Sequence, residues 1–283
     1  FYSKDEFRVK LNSSMYMMAA ALEETNIDNV VANDVVQLQN QMSFITEGSN
    51  AYVDHPNGNI TETAIDEVSN TIEENKVYLI NMGNEVGTGT PEVGSVAVAG
   101  DYRGWMKVRV HQENGEYVLQ YADLEASTHQ EVSIAKSPEY NFTFFSLVNE
   151  TIVDVEPQAT QWDLNFSVFV EVLDLPEGGQ TAYGFSDYVA TNVLAETKAY
   201  EMEASETLNY QNFALEDIDE NEFEIDQRVI GSNWRDVFSQ SVTPNLFYVI
   251  EDPDGNLYKL RFTALVNENG VRGYPSFEYS LLN

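Results

Sequence analysis

The side chains best suited to chemistry are few in this sequence, and their spacing says little for catalysis. There are three His among 283 residues. His55 precedes a proline in a turn-like stretch and is expected to be exposed. His111 follows Lys107 and Arg109 at alternate positions, which places the three on one face of a strand. That face reads as the polar, solvated one. His129 lies in a polar stretch before a strand. No two His stand at a metal-pair spacing, and there is no HExxH motif. No GxSxG elbow marks a hydrolase nucleophile, so the chain reads as non-enzymatic. Cysteine is absent, which excludes disulfides, thiolate catalysis and zinc–sulfur sites. Asp217–Glu222 and Asp252–Asn256 offer oxygen ligands at short spacing, but neither follows the EF-hand ligand order. We read the first as a solvated face and the second as a hairpin turn. Met15, Met17 and Met18 would suit a soft metal or haem, yet flexible Met filling an irregular core accounts for them.

Charge narrows the partners further. The net charge is −33, from 47 acidic and 14 basic residues. Nucleic acid phosphates and anionic membrane surfaces both demand Lys and Arg, so neither is a partner. Such a charge suits solubility in a crowded setting and attraction to cations or basic partners. Apolar residues make up 43%, with 16 Tyr and 15 Phe, enough for a core rich in rings. Most of these rings fall in alternating strands, where packing explains them better than carbohydrate stacking. No apolar run is long enough to span a membrane. The sequence does not begin with Met, and Phe1 reads as part of a strand. We therefore expect residues upstream, with a Trp-Asp segment just before Phe1 and a lipoprotein signal before that.

The elements that must position these residues read as strands. Phe247–Ile250 is apolar and β-branched, Asp252–Asn256 is a Pro/Gly turn, and Leu257–Phe262 alternates with period two. Phe277–Leu281 alternates again, completing an antiparallel meander. Upstream, Val77–Ile80, Trp105–Val110 and Glu116–Tyr121 repeat the same succession, including Lys107 and Arg109 against Lys259 and Arg261. A looser match sets Phe7–Leu11 against Phe166–Val172. We read a mostly β chain built from duplicated antiparallel β units with a few short helices. The first unit spans 1–137 and carries two helices; the second spans 138–283, with the boundary at Ser137-Pro138. Met15–Glu24 and Thr61–Ile72 are the expected helices, the latter from Ile65, Val68 and Ile72 at helical spacing. Val30–Gln41 is ambiguous. Strands are expected over 1–11, from Ala51 into the Asn57-Gly58 turn, and over Glu131–Lys136.

A set of short motifs in fixed order resembles the HmuY family. They are Trp162–Phe166, Tyr183–Asn192, Ile230–Trp234, Phe247–Ile250 with Leu257–Phe262, and Arg272-Gly273 with Phe277–Tyr279. The resemblance covers 140–283 well and 1–136 more loosely. It implies a surface or secreted protein of Bacteroidetes, anchored at the outer membrane as a lipoprotein, that binds haem or a porphyrin as a haemophore. It implies haem held between two side chains, His in founding members and Met in some relatives. It also implies delivery to a TonB-dependent receptor or another surface protein. This sequence departs from the His pattern, since no His follows His129. The resemblance then leaves Met202, the one Met after residue 137, as a soft ligand, and Tyr183, Tyr188 and Tyr200 as hard ones. The alternative is a HmuY-like surface accessory module that has lost haem binding. Missing His and scarce Lys and Arg favour that alternative; the family pattern favours haem.

Overall fold

Alternating and β-branched runs dominate the sequence, and in this computed structural model, which describes residues 1–282, they become strands. Strand takes 38% of the chain and helix 11%, so the protein is mostly β. In chain order the strands are β1 (Met18–Ala21), β2 (Val77–Asn81), β3 (Asn84–Val86), β4 (Ala99–Tyr102), β5 (Trp105–Glu113), β6 (Glu116–Asp123) and β7 (Gln130–Ile134). They continue with β8 (Phe144–Ser146), β9 (Thr151–Val153), β10 (Leu164–Asp174), β11 (Gln180–Thr191) and β12 (Lys198–Glu203). The last are β13 (Arg235–Asp236), β14 (Ser241–Val242), β15 (Leu246–Glu251), β16 (Leu257–Val266) and β17 (Arg272–Leu281). Helix α1 (Ala32–Gln41) is joined by short 3-10 turns. Val35, Leu38 and Met42 lie three to four residues apart, so the α1 segment turns one apolar stripe inward, and this resolves the ambiguous Val30–Gln41.

Two compact units result. The first comprises Phe1–Val86, Ala99–Ala159 and Phe169–Gly184. The second takes Gly87–Val98, Thr160–Val168 and the chain from Phe185 onward. The division at Ser137-Pro138 is a division by repeated pattern, and it stands as a proposal.

The first unit is built on an antiparallel sheet in the order β1-β2-β5-β6-β7. Both of its faces are buried. Tyr78, Ile80, Val108, Val110, Leu119 and Tyr121 join one core with Val9, Ile65 and Val68. Val77 and Leu79 join the other, covered by Ile27, Val30, Val35 and Met42. The second unit is built on an antiparallel sheet in the order β12-β15-β16-β17. On one face Trp234 stacks on Phe262 at 4.1 Å, amid Val189, Tyr248 and Leu260. On the other, Tyr200, Phe213, Phe247 and Val249 pack together.

The two sheets repeat one register. Ala20 pairs with Leu79 and Leu79 with Lys107; Tyr200 pairs with Val249 and Val249 with Lys259. Arg109 then lies opposite Gln120, and Arg261 opposite Glu278. Counterpart positions follow across four strands: β1 with β12, β2 with β15, β5 with β16, β6 with β17. The two counterpart lysines behave alike. Lys107 is fully buried and donates to the Val30 and Ala126 carbonyls at 2.7 and 2.8 Å. Lys259 is buried and donates to the Phe213 carbonyl at 2.7 Å. A buried ammonium is tolerated only when such acceptors replace water.

Several expected elements are corrected. Met15–Glu24 is not a helix: Ser13–Met15 makes a 3-10 turn, Tyr16 takes φ 59°, and Met18–Ala21 is β1. Met18 and Ala20 face one core and Ala19 the other, so pairing on β2 between two packed layers overrides the helix propensity of alanine. Thr61–Ile72 is irregular, with only Ile72–Glu74 forming a 3-10 turn. Its backbone finds partners outside itself: the Val68 amide donates to the Phe7 carbonyl, the Asp66 amide to the Tyr78 hydroxyl. Residues 1–11 form no strand beyond a bridge from Tyr2 to Phe142, and so Phe7–Leu11 has no strand to match Phe166–Val172. The Tyr117 hydroxyl occupies this backbone instead, between Tyr2 and Arg8. Residues 49–52 make a 3-10 turn where a strand from Ala51 was expected. The Asp252–Asn256 turn is as expected: Gly255 sits at φ 80°, and Asp252 accepts from the Asp254 and Asn256 amides.

Candidate functional site

Strand β12 sets the first two candidate residues. Alternation points Tyr200 and Met202 to the same face, where Phe213, Phe247 and Val249 form the core. Met202 lies across from Phe247 and is partly exposed. The Tyr210 and Phe213 rings sit 6.1 and 5.3 Å from Phe247. Tyr200 is buried, against Phe223 at 4.9 Å. Burial first, and then the carboxylates of Asp219, Glu222 and Asp217, raise its hydroxyl above the ordinary tyrosine range. That opposes a phenolate, the form in which tyrosine ligates ferric iron.

The other two candidates lie apart. Tyr188, on β11, is buried next to Phe185, with Gly231 close to its hydroxyl. Tyr183 belongs to the first unit, where it lies near Tyr16 and is 38% exposed. Thus Tyr200 and Met202 share a face of β12, Tyr188 packs on β11 beside Phe185, and Tyr183 belongs to the first unit.

The first unit holds all three His. His55 is exposed, 3.4 Å from Glu62. His129 pairs with Asp28 at 2.9 Å. His111 is a correction: it is buried, not solvated, because the strand face it shares with Lys107 and Arg109 is the covered one. Its Nδ1 is buried without a hydrogen-bond partner. Burial, and then the nearby Arg109 charge, lower its pKa. Among the described residues no three His, Asp or Glu side chains gather as a metal-binding group.

Cations are scarce at the surface. None of the 14 basic residues is exposed; each is half-buried or buried. In the second unit Arg272 reaches Asp187 at 2.5 Å, both nearly enclosed. Arg235 shares that acid and donates to the Ser186 carbonyl. The sequence marked Arg272 only as part of a motif, and only the fold brings it to Asp187, 85 residues away. Arg261 lies 4.6 Å over the Tyr210 ring and pairs with Glu278 at 2.6 Å.

A family model described as HmuY protein matches residues 1–279. The chain belongs to the HmuY family. No curated protein and no solved structure matches it. The Met202 thioether is partly exposed beside a ring-lined core, and Arg261 lies over the Tyr210 ring that packs there. Register also gives Met202 a plainer counterpart. Leu22, whose amide donates to the Val77 carbonyl at 2.8 Å, takes the corresponding place in the first unit and packs there. No helix among the described residues is long and apolar enough to cross a membrane.

Proposed function

We propose that this protein is a non-enzymatic binder of haem or a related porphyrin at the bacterial cell surface, acting as a haemophore. The family match over residues 1–279 carries this reading. Met202 would hold the iron through its thioether, and the rings about Phe247 would offer the flat macrocycle an apolar surface. Tyr200 contributes its ring rather than a phenolate. Tyr183 and Tyr188 then stand outside the site. A lone thioether is a soft donor and favours ferrous over ferric iron. Arg261, over the Tyr210 ring, would supply the cation for a propionate. The protein is held at the outer membrane by a lipid anchor and hands its cargo to a TonB-dependent receptor or another surface protein.

The test is a haemin titration of the full chain, oxidised and dithionite-reduced, followed at the Soret band. The reduced complex is expected to be the tighter, and Met202→Ala to weaken it at least tenfold while leaving the oxidised complex nearly unchanged. One observation favours a second reading: Met202 stands where Leu22 packs, and the other candidates scatter. On that reading the protein is a HmuY-family accessory module without haem. Absence of a Soret shift in both redox states selects it.

A further inference from the structure

The repeated register exposes a difference between the two sheets. In the first unit β6 is not an edge: β7 pairs along it, with Ile134 opposite Tyr117, Val132 opposite Leu119 and Gln130 opposite Tyr121. Val132 and Ile134, with Phe145 and Leu147 from around β8, close over that face. Leu119 and Tyr121 are consequently 3% and 4% exposed. In the second unit β17 takes the place of β6, but it ends the sheet; among the described residues no strand pairs on its outer side. Phe277 and Tyr279 occupy the positions of Leu119 and Tyr121, opposite Phe262 and Leu260. They are 40% and 67% exposed. Phe166 stacks on Phe277 at 5.4 Å and is itself 40% exposed. Leu281 continues the row at 44%. An open edge bordered by exposed rings is the liability that β-proteins ordinarily blunt.

We propose that the outer edge of β17 accepts an extended segment of another protein, one with apolar residues at alternate positions and a basic residue between them. The first unit shows what fills such an edge: a short strand whose apolar side chains cover the counterpart of the Phe277–Tyr279 face. Backbone pairing supplies affinity in strand addition, and alternate side chains supply selectivity. Charge sets the basic residue. In the first unit Gln120 donates to Glu131 of β7 at 2.8 Å. Its counterpart on β17 is Glu278, which takes Arg261 at 2.6 Å on one carboxylate oxygen; a basic residue where β7 carries Glu131 would meet the other oxygen, whereas a second acid would be repelled. The surroundings agree, since the chain carries −33 and none of its basic residues is exposed. A second copy would bring like charge to this edge, which disfavours it as the occupant. Pro275 lacks an N–H, so pairing is confined to the residues after it.

The probe is a synthetic peptide with the sequence of residues 128–136 carrying Gln130→Val and Glu131→Lys, added to the full-length chain. Amide hydrogen exchange is expected to slow over Ser276–Leu281 and to stay unchanged over Glu116–Asp123. Affinity, read by fluorescence anisotropy, is expected to fall at least ~tenfold for the same peptide with Glu131 kept, for one carrying Gln130→Ser, Glu131→Lys and Val132→Ser, and at 1 M salt. The exposed pair Phe277→Ser with Tyr279→Ser should cause the same loss while the near-UV circular dichroism of the rest of the protein is kept. Tyr279→Pro, which removes an edge N–H, provides a second variant. Equal binding to these variants, protection elsewhere, or no binding at millimolar peptide overturns the proposal. So does a dimer of the chain alone that dissociates on Tyr279→Ser, because the edge is then filled by a second copy. Each readout is independent of haem, so failure here leaves the Soret result untouched.

Discussion

Replacing Tyr117 with Phe tests how the first unit holds its non-strand opening segment. Tyr117 is fully buried, with its ring 5.1 Å from Phe1 and 4.8 Å from Phe7. Phe keeps these contacts and removes only the hydroxyl. That hydroxyl donates to the Tyr2 carbonyl at 2.8 Å and accepts from the Arg8 amide at 2.9 Å. In the variant one buried N–H and one carbonyl lose a partner, at about 1–3 kcal/mol apiece; with partial relaxation we expect a loss of about 2–4 kcal/mol. That corresponds to a drop in Tm of roughly 4–8 °C for a chain of this size. The pH dependence supplies a second readout. Burial holds the Tyr117 hydroxyl well above the ordinary tyrosine range. Above about pH 10 the unfolded chain gives up this proton and the folded chain keeps it. The contribution is therefore complete below pH 10 and falls above it, by up to about 1.4 kcal/mol per pH unit. Phe has no such proton, so the gap between the two proteins should narrow from pH 10 to 11. Urea denaturation across pH 8–11 measures both effects. A variant within about 0.5 kcal/mol of the parent, or a gap constant over that range, refutes the reasoning.

Two further expectations rest on buried charge. His111 is held neutral by burial and by Arg109, with its pKa below the ordinary value. The unfolded chain binds the extra proton as pH falls below about 6.5, so stability is full above that pH and declines beneath it; His111→Gln should flatten the decline in melts between pH 7 and 5. Arg272→Ala leaves Asp187, whose side chain is 6% accessible, with Arg235 as its remaining nearby cation, and should cost about 1–3 kcal/mol by urea denaturation. Adding Asp187→Asn should recover part of that loss.

The strands that were legible are those whose pattern is local. Val77–Ile80, Trp105–Val110 and Leu257–Phe262 alternate or run apolar, and each appears where the pattern puts it. Alternation separates two faces but does not say what covers each. That is why Lys107, Arg109 and His111 read as solvated: Lys107 reaches the Val30 and Ala126 carbonyls and Arg109 those of Ile72 and Asn75, which come close only in the fold. Met18–Ala21 failed for a related reason, because alanine favours helix in isolation and fits equally well between two packed layers. Ile65 and Val68 have helical spacing and are buried, but the backbone bonds go to Phe7 and Tyr78 rather than along a helix. As to the candidate site, the sequence named Tyr200 and Met202 as candidate ligands, but only the fold shows that they share one strand face. The sequence had no means of showing that Tyr183 and Tyr188 lie elsewhere. The open edge of β17 was legible as a strand, but its want of a neighbour was not, since pairing is a property of the sheet.

The interleaving of the units bears on the timing of folding. The first unit takes its last pieces from Phe169–Gly184, including Val170 and Ala182 in its core. A chain made from its N-terminus cannot complete that unit until residue 184 has emerged, roughly 10–40 s after Phe1 is added at ordinary rates. Gly87–Val98 emerges long before, and must wait for residues beyond Phe185. Early-made chain thus stays unsatisfied while later chain is still being added, and a nascent product halted at Pro138 would expose the β2 and β5 face that Val170 and Ala182 help to close. Protease resistance of ribosome-bound chains should accordingly rise after residue 184, in one step, and not near 138.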